Sequence, residues 1–368
     1  MNLLSKDTLK LIDILNDYKI TNISKITDNI YFINLYDKIK NILKNIVINQ
    51  NNLNLYEINE PSSKYFSDNE FTSDHIKKKI INNLKYSYKI LHENNIIIYF
   101  THKRIKKIPK TIVQMFIIIK LLKILFNRDV KSNSQKIIYF ETFEKKIFPK
   151  KNKILGPNEV NSGLTYLTMH KNGDIILYRR EEILKVLIHE LIHSNLIDEK
   201  IIFSNKIKTF SNLFCVDYNI LLNEAFTETF ATLINIFYIN IKCKFSKKYL
   251  DTMFFNEIKY SNYICSNILK FYNIKKISNI VKNNKINEKF PQKTNVFSYY
   301  ILKNILLNTH LEFSKILELY TIDYKINNEI CIDKIISLLI NNIDILDKKL
   351  YKNVNNKSLR LCLYELKL

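Results

Sequence analysis

Residues 163–194 read GLTYLTMHKNGDIILYRREEILKVLIHELIHS. Two runs rich in β-branched and aromatic residues, 163–170 and 174–179, flank Lys171-Asn172-Gly173, and Asn-Gly between such runs is the strongest short-range hairpin signal. From Ile183 the period changes. Ile183, Leu184, Val186, Leu187, Ile188, Leu191 and Ile192 surround three polar residues, the pattern of a helix covered on most sides. A hairpin that feeds directly into a buried helix defines an α+β unit.

Three of the polar residues in that helix stand close together, His189, Glu190 and His193. Residues four apart share one helix face, so both imidazoles can aim at a common point while Glu190 projects beside it. Neutral imidazoles are good zinc ligands, and a carboxylate next to the ion can take a proton from the water it activates. Burying these three groups without partners would cost several kcal/mol. A metal supplies the partner. The competing reading is a core helix whose histidines are satisfied locally, although a chance HExxH arises in about one chain in a hundred of this composition.

A catalytic zinc needs a third protein ligand. Position 196 is Leu and 199 is Glu, so the short-spaced third histidine of metzincins is missing. Further on, LLNEAFTETFATLINIF (221–237) places Glu224 and Glu228 one turn apart, beside Ala225, which lets two helices approach closely. Glu224 is taken as the ligand and Glu228 as the carboxylate that orients His189 or His193. The reverse assignment, and an ordinary pair of surface glutamates, stay open.

Composition points to the same place. The chain has 368 residues, a net charge of +22, three glycines and no tryptophan. Gly156, Gly163 and Gly173 all precede the histidine helix, and both alanines, Ala225 and Ala231, lie in NEAFTETFA. Small residues kept in so depleted a chain mark positions where a side chain would not fit or where φ is positive. The charge is a weaker guide. It is mostly Lys scattered along an Asn- and Ile-rich chain, with Arg only at 104, 128, 179, 180 and 360, so a nucleic-acid partner is not expected as the main one. Five widely spaced cysteines read as reduced thiols in an intracellular setting. The most apolar run, 111–126, is too short to span a bilayer comfortably and carries Lys120 and Lys123.

The expected organisation is α+β and mainly helical. Residues 1–135 form a helical N-terminal region, 136–240 a core of small sheet plus HExxH helix, beginning with KIIYFETF at 136–143, and 241–368 a helical C-terminal region.

HELIH followed thirty residues later by NEAFTE resembles the gluzincin zinc metallopeptidases, whose pattern is HExxH with a downstream NExxxD or NExxxE. The wider segment LGPNEVNSGLTYLTMHKNGDIILYRREEILKVLIHELIH (155–193) also resembles metallopeptidases of giant and insect-infecting large DNA viruses. The likeness covers about residues 155–235 and is specific at HExxH. It implies a zincin-like core, zinc held by His189, His193 and Glu224, Glu190 as general base, Glu228 behind the ligands, and a peptide or protein substrate. It also implies that the substrate lies as an added strand along a sheet edge, with Asn161, Ser162 and Gly163 near its start. Glu228 departs from the commoner Asp. The donor for the oxyanion has no motif, and TNVFSYYILKNILLNTH (294–310) offers Tyr299, Tyr300 and His310, with Tyr300 preferred. Arg179 either binds a substrate carboxylate or pairs with Glu181 or Glu182. The alternatives to an active enzyme are an inactive zincin-fold binding module and a basic nucleic-acid-binding protein.

Overall fold

The computed structural model describes residues 3–368 except 17–23, 66–71, 128–133, 151–152, 167–172, 283–286, 323, 327, 346 and 348–356. The architecture is α+β and mainly helical, built around one mixed sheet of six strands. These are β1 (Asn54–Ile58), β2 (Tyr86–His92), β3 (Asn95–Thr101), β4 (Lys136–Phe140), β5 (Gly163–Thr165) and β6 (Ile175–Leu177), in the spatial order β1-β2-β3-β4-β6-β5. β3, β4 and β6 run parallel, while β5 is the outer strand and pairs antiparallel with β6, Gly163 opposite Leu177. The expected hairpin is thus present as β5–β6. Lys171 and Asn172 of its turn lie outside the described residues.

The central strands β3, β4 and β6 are covered on both faces, which explains their nearly continuous apolar runs. Along β3, Ile98 and Phe100 join Ile138, Phe140, Leu164, Ile176 and Tyr178 in a layer against Ile76 and Ile80 of the helix Asp74–Asn83. The alternate residues Ile97 and Tyr99 point into the main core with Ile137, Ile175 and Leu177. That second face is covered by the helices Lys110–Leu125 and Ile183–Ser194. The apolar run at 111–126 is therefore a core helix, and no helix among the described residues is long and apolar enough to cross a membrane.

The helical reading of residues 1–135 needs correction in three segments, since β1, β2 and β3 all lie there. YSYKILH and NIIIYFT are short apolar runs, and periodicity alone does not separate a buried strand from a helix at that length. Tertiary pairing decides: Glu93, at φ 51°, turns the chain so that His92 lies opposite Asn95. The C-terminal region also differs from expectation. After the helices Tyr249–Phe271, Lys303–Asn308, His310–Tyr320 and Glu329–Asn341, and the two-stranded β7 (Thr321–Ile322) and β8 (Lys325–Ile326), the last residues form an extended strap. The strap forms bridges at Ile147–Ser358 and Leu4–Leu366, with Leu359, Leu361, Leu363 and Tyr364 buried. The alternation in LRLCLYEL is the strand signal that a helical reading passes over.

Two long helices position the site. All twelve residues of Ile183–Ser194 are buried, and it packs against Leu222–Lys242, where Ala225 and Ala231 are fully buried. Each Ile or Leu fully buried along the contact contributes about 1.5–3 kcal/mol, which fixes the relative position of the two helices.

Candidate metal centre

His189 and His193 come from the buried helix and Glu224 from the first turn of Leu222–Lys242, where a carboxylate is favoured by the helix dipole. The three side chains meet. His189 Nε2 is 3.1 Å from His193 Nε2 and 3.2 Å from Glu224 Oε2, and His193 Nε2 is 3.4 Å from the same oxygen. Ligands about 2.0–2.1 Å from a tetrahedral ion lie about 3.3 Å from one another, so this triangle has the size of one face of such a site. It is the group among the described residues that could hold a metal ion.

The outer nitrogens show why the inner ones face each other. His193 Nδ1 lies 2.7 Å from Asp198 Oδ2, an oxygen that also accepts from Thr227 Oγ1 at 3.1 Å. His189 Nδ1 lies 3.0 Å from Glu228 Oε2, short of ideal alignment. A carboxylate only accepts, so each Nδ1 carries the proton and each Nε2 presents a lone pair. Two lone pairs and a carboxylate oxygen converge on one buried point, an arrangement that repels itself until a cation or protons fill it. Without an ion the site draws protons. Burial would lower both imidazoles, but the carboxylates outweigh it: Glu224 and Glu228 raise His189, and Asp198 and Glu224 hold His193 well above its ordinary range. Burial pushes Glu224 up, and the histidines, His193 foremost, pull it lower still.

Asp198 was not visible in the sequence pattern. It reaches back because Leu196 adopts φ 54°, with Leu196 N–H donating to His193 O at 2.8 Å and Ile197 N–H to Ile192 O at 3.2 Å. That pair of bonds is a Schellman turn, normally capped by Gly, and a leucine there gave no signal.

Glu190 stands beside the triangle without joining it. Its Oε2 accepts from Thr165 Oγ1 at 2.7 Å, so β5 holds it in place. Burial raises its pKa, against the opposing pull of His189 and His193. Gly163 is where β5 comes closest: an added Cβ would lie 3.1 Å from Glu190 Oε1. No described glycine has positive φ, so close approach, and not backbone freedom, is the reason for glycine at this position.

A cleft of about 980 Å³ opens onto Glu190, the histidines and Glu224. Gly163, Leu164 and Thr165 of the outer strand form one wall, while Ile202, Ile207, Ile220 and Leu221 give it apolar surface. Tyr299 also lines it, its ring 6.0 Å from that of His189. Burial, then Glu224 and Glu190, hold the Tyr299 phenol well above its usual range, so it remains a proton donor.

Four expectations are corrected here. Tyr300 does not face the cleft; it is buried and its hydroxyl donates to Leu359 O at 2.6 Å, holding the C-terminal strap. Both tyrosines lie in a π-helical segment, Phe297–Leu302, whose phase a 3.6-residue reading misplaces. His310 packs between Phe32 and Phe254, away from the cleft. Asn161 and Ser162 are buried behind β5, Asn161 Oδ1 accepting from Thr294 Oγ1 at 3.0 Å, so that of the three residues named for substrate binding Gly163 alone lines the cleft. Arg179 pairs with no acid among the described residues: its guanidinium donates to the carbonyls of Asn158 and Asn161 and braces the backbone leading into β5.

No protein-family model matches the chain, and no solved structure matches it. Over 184 residues it is 28% identical to a protein of Acanthamoeba polyphaga mimivirus whose name reads "Uncharacterized protein", covering 48% of this chain and 46% of that one. The chain thus spans about half the length of this relative. The likeness agrees with the resemblance to proteins of large DNA viruses and assigns no activity.

Proposed function

We propose that the protein is a zinc-dependent metallopeptidase. The observation that carries this reading is a three-residue ligand set, His189, His193 and Glu224, open to a large cleft and flanked by a carboxylate that is not a ligand. A purely structural zinc is normally closed by four protein ligands, whereas a catalytic one keeps a position free. Two imidazole nitrogens and one carboxylate oxygen are a donor set suited to zinc. When bound, the ion supplies Lewis acidity that polarises a carbonyl and acidifies water.

The remaining steps belong to the chain. A peptide would add to β5 as an extended strand, main chain to main chain, with its side chains against the apolar wall. Glu190, held by Thr165 and already raised by burial, takes the proton of the attacking water on Oε1 or Oε2 and passes it to the leaving amine. Tyr299, lining the cleft beside His189, keeps its proton and serves as the donor for the oxyanion. Asp198 and Glu228 hold the two imidazoles in the tautomer that leaves Nε2 free.

The test is a peptide-library assay of wild type and Glu190→Gln with metal content measured on both. Retained metal with hydrolysis reduced by about 10²-fold or more supports the reading. Wild type that holds metal but cleaves nothing would make it a binding module.

A further inference from the structure

Lys185 is a buried cation that the chemistry above does not use. It lies four residues before His189 and therefore on the same face of the helix. Its side chain is 2% exposed, and its ammonium pairs with Glu228 Oε1. The other oxygen of that carboxylate is the one 3.0 Å from His189 Nδ1. A second buried cation, Lys303, stands 3.6 Å from the same Oε1 and donates to the Leu361 carbonyl of the strap. Lys185 shares its helix with His189, and Lys303 opens the helix that follows the π-helical segment of Tyr299.

Buried ion pairs seldom stabilise a fold more than apolar side chains of the same volume, so stability does not explain an ammonium here. Its effect on Glu228 does. Without Lys185, Glu228 Oε1 keeps only Lys303, at 3.6 Å, and the carboxylate is free to turn toward the ring and draw it away from the point shared with His193 and Glu224. With Oε1 held by Lys185, Oε2 stays where it can accept from Nδ1 without displacing the ring.

We infer that Lys185 is a positioning residue of the metal centre, acting through Glu228 to fix the direction and tautomer of His189. The inference rests on the metal-centre reading. Zinc affinity of Lys185→Met, measured by competition with a chromogenic chelator, is expected to fall about 10–100-fold. The visible absorption of the cobalt(II)-substituted protein shifts with it, a change that lost packing remote from the ligands would not produce. In the Glu228→Leu background the lysine has no acceptor left at that position, and Lys185→Met then changes affinity by no more than about twofold.

Folded Lys185→Met with wild-type affinity and wild-type cobalt spectrum overturns the inference, as does an equal loss in both backgrounds. Should Lys185→Met fail to fold alone, Glu228→Leu with and without it decides the matter: equal affinities support the inference, and a further tenfold loss refutes it. Wild type that binds no metal defeats the metal centre and this inference together, whereas metal-binding wild type with an indifferent Lys185→Met defeats the inference alone.

Discussion

An alanine at position 163 would put its Cβ 2.9 Å from Leu177 Cδ2, 3.0 Å from the Ile176 carbonyl oxygen and 3.1 Å from Glu190 Oε1. Non-bonded heavy atoms settle at about 3.5–4.0 Å, so all three contacts are too short. The Leu177 tip can rotate away. The Ile176 carbonyl cannot, because it belongs to the strand paired with β5. The strain must therefore move β5 outward, displace Glu190, or both. Overpacking of this kind costs about 1–3 kcal/mol, which in a protein of this size lowers Tm by about 2–6 °C. A shift of about 0.5 Å in the base lowers kcat roughly 10–100-fold. The three atoms nearest the added methyl belong to none of His189, His193 and Glu224, so metal content is expected to stay at the wild-type level. Differential scanning calorimetry, elemental analysis and peptide hydrolysis on the same preparation separate these effects. Wild-type Tm and rate in Gly163→Ala would show that the close approach has no functional weight. Metal lost in step with activity would show that the glycine serves the ligands and not the base.

Other substitutions probe the supports. Asp198→Ala removes the carboxylate 2.7 Å from His193 Nδ1 and is expected to weaken zinc binding about 10–100-fold in a chelator competition; unchanged affinity would remove Asp198 from the centre. Glu182, fully buried at the start of the histidine helix, has a carboxyl at about 2 against an ordinary 4.5: burial raises it, but Lys146, at 3.0 Å, with Arg360 and Lys185, outweighs burial. The folded state thus binds this proton at lower pH than the unfolded chain does, and the stabilisation, about 3 kcal/mol, is complete above pH 4.5 and lost toward pH 2. The stability gap between wild type and Glu182→Gln in urea should therefore narrow by about 2 kcal/mol from pH 7 to pH 3, and a constant gap would contradict the assignment.

What the sequence makes legible is local. His189, Glu190 and His193 share a face because of their spacing. Gly163 and Ala225 stand out because the chain has so few small residues, and both sit at close contacts. Glu224 and Glu228 fall one turn apart on a helix with enough apolar period to be read. The rest depends on how distant segments meet. Asp198 reaches His193 only through a left-handed leucine, Tyr299 and not Tyr300 lines the cleft in a π-wound segment, and Lys185 meets Glu228 only where the two helices pack. β1–β3 were hidden because short apolar runs take their conformation from their neighbours, and the strap because its backbone partners are side chains far away in sequence. Glu182, Glu257, Tyr260 and Tyr300 all bond to its main chain.

The central claim is that His189, His193 and Glu224 hold an ion. Elemental analysis of the purified protein beside His193→Ala prepared identically tests it most directly. The expected result is about one zinc per chain in wild type and its loss in the variant. Folded wild-type protein that carries no zinc and takes up none on addition would contradict it, and the histidine helix would then be a part of the core with no metal chemistry.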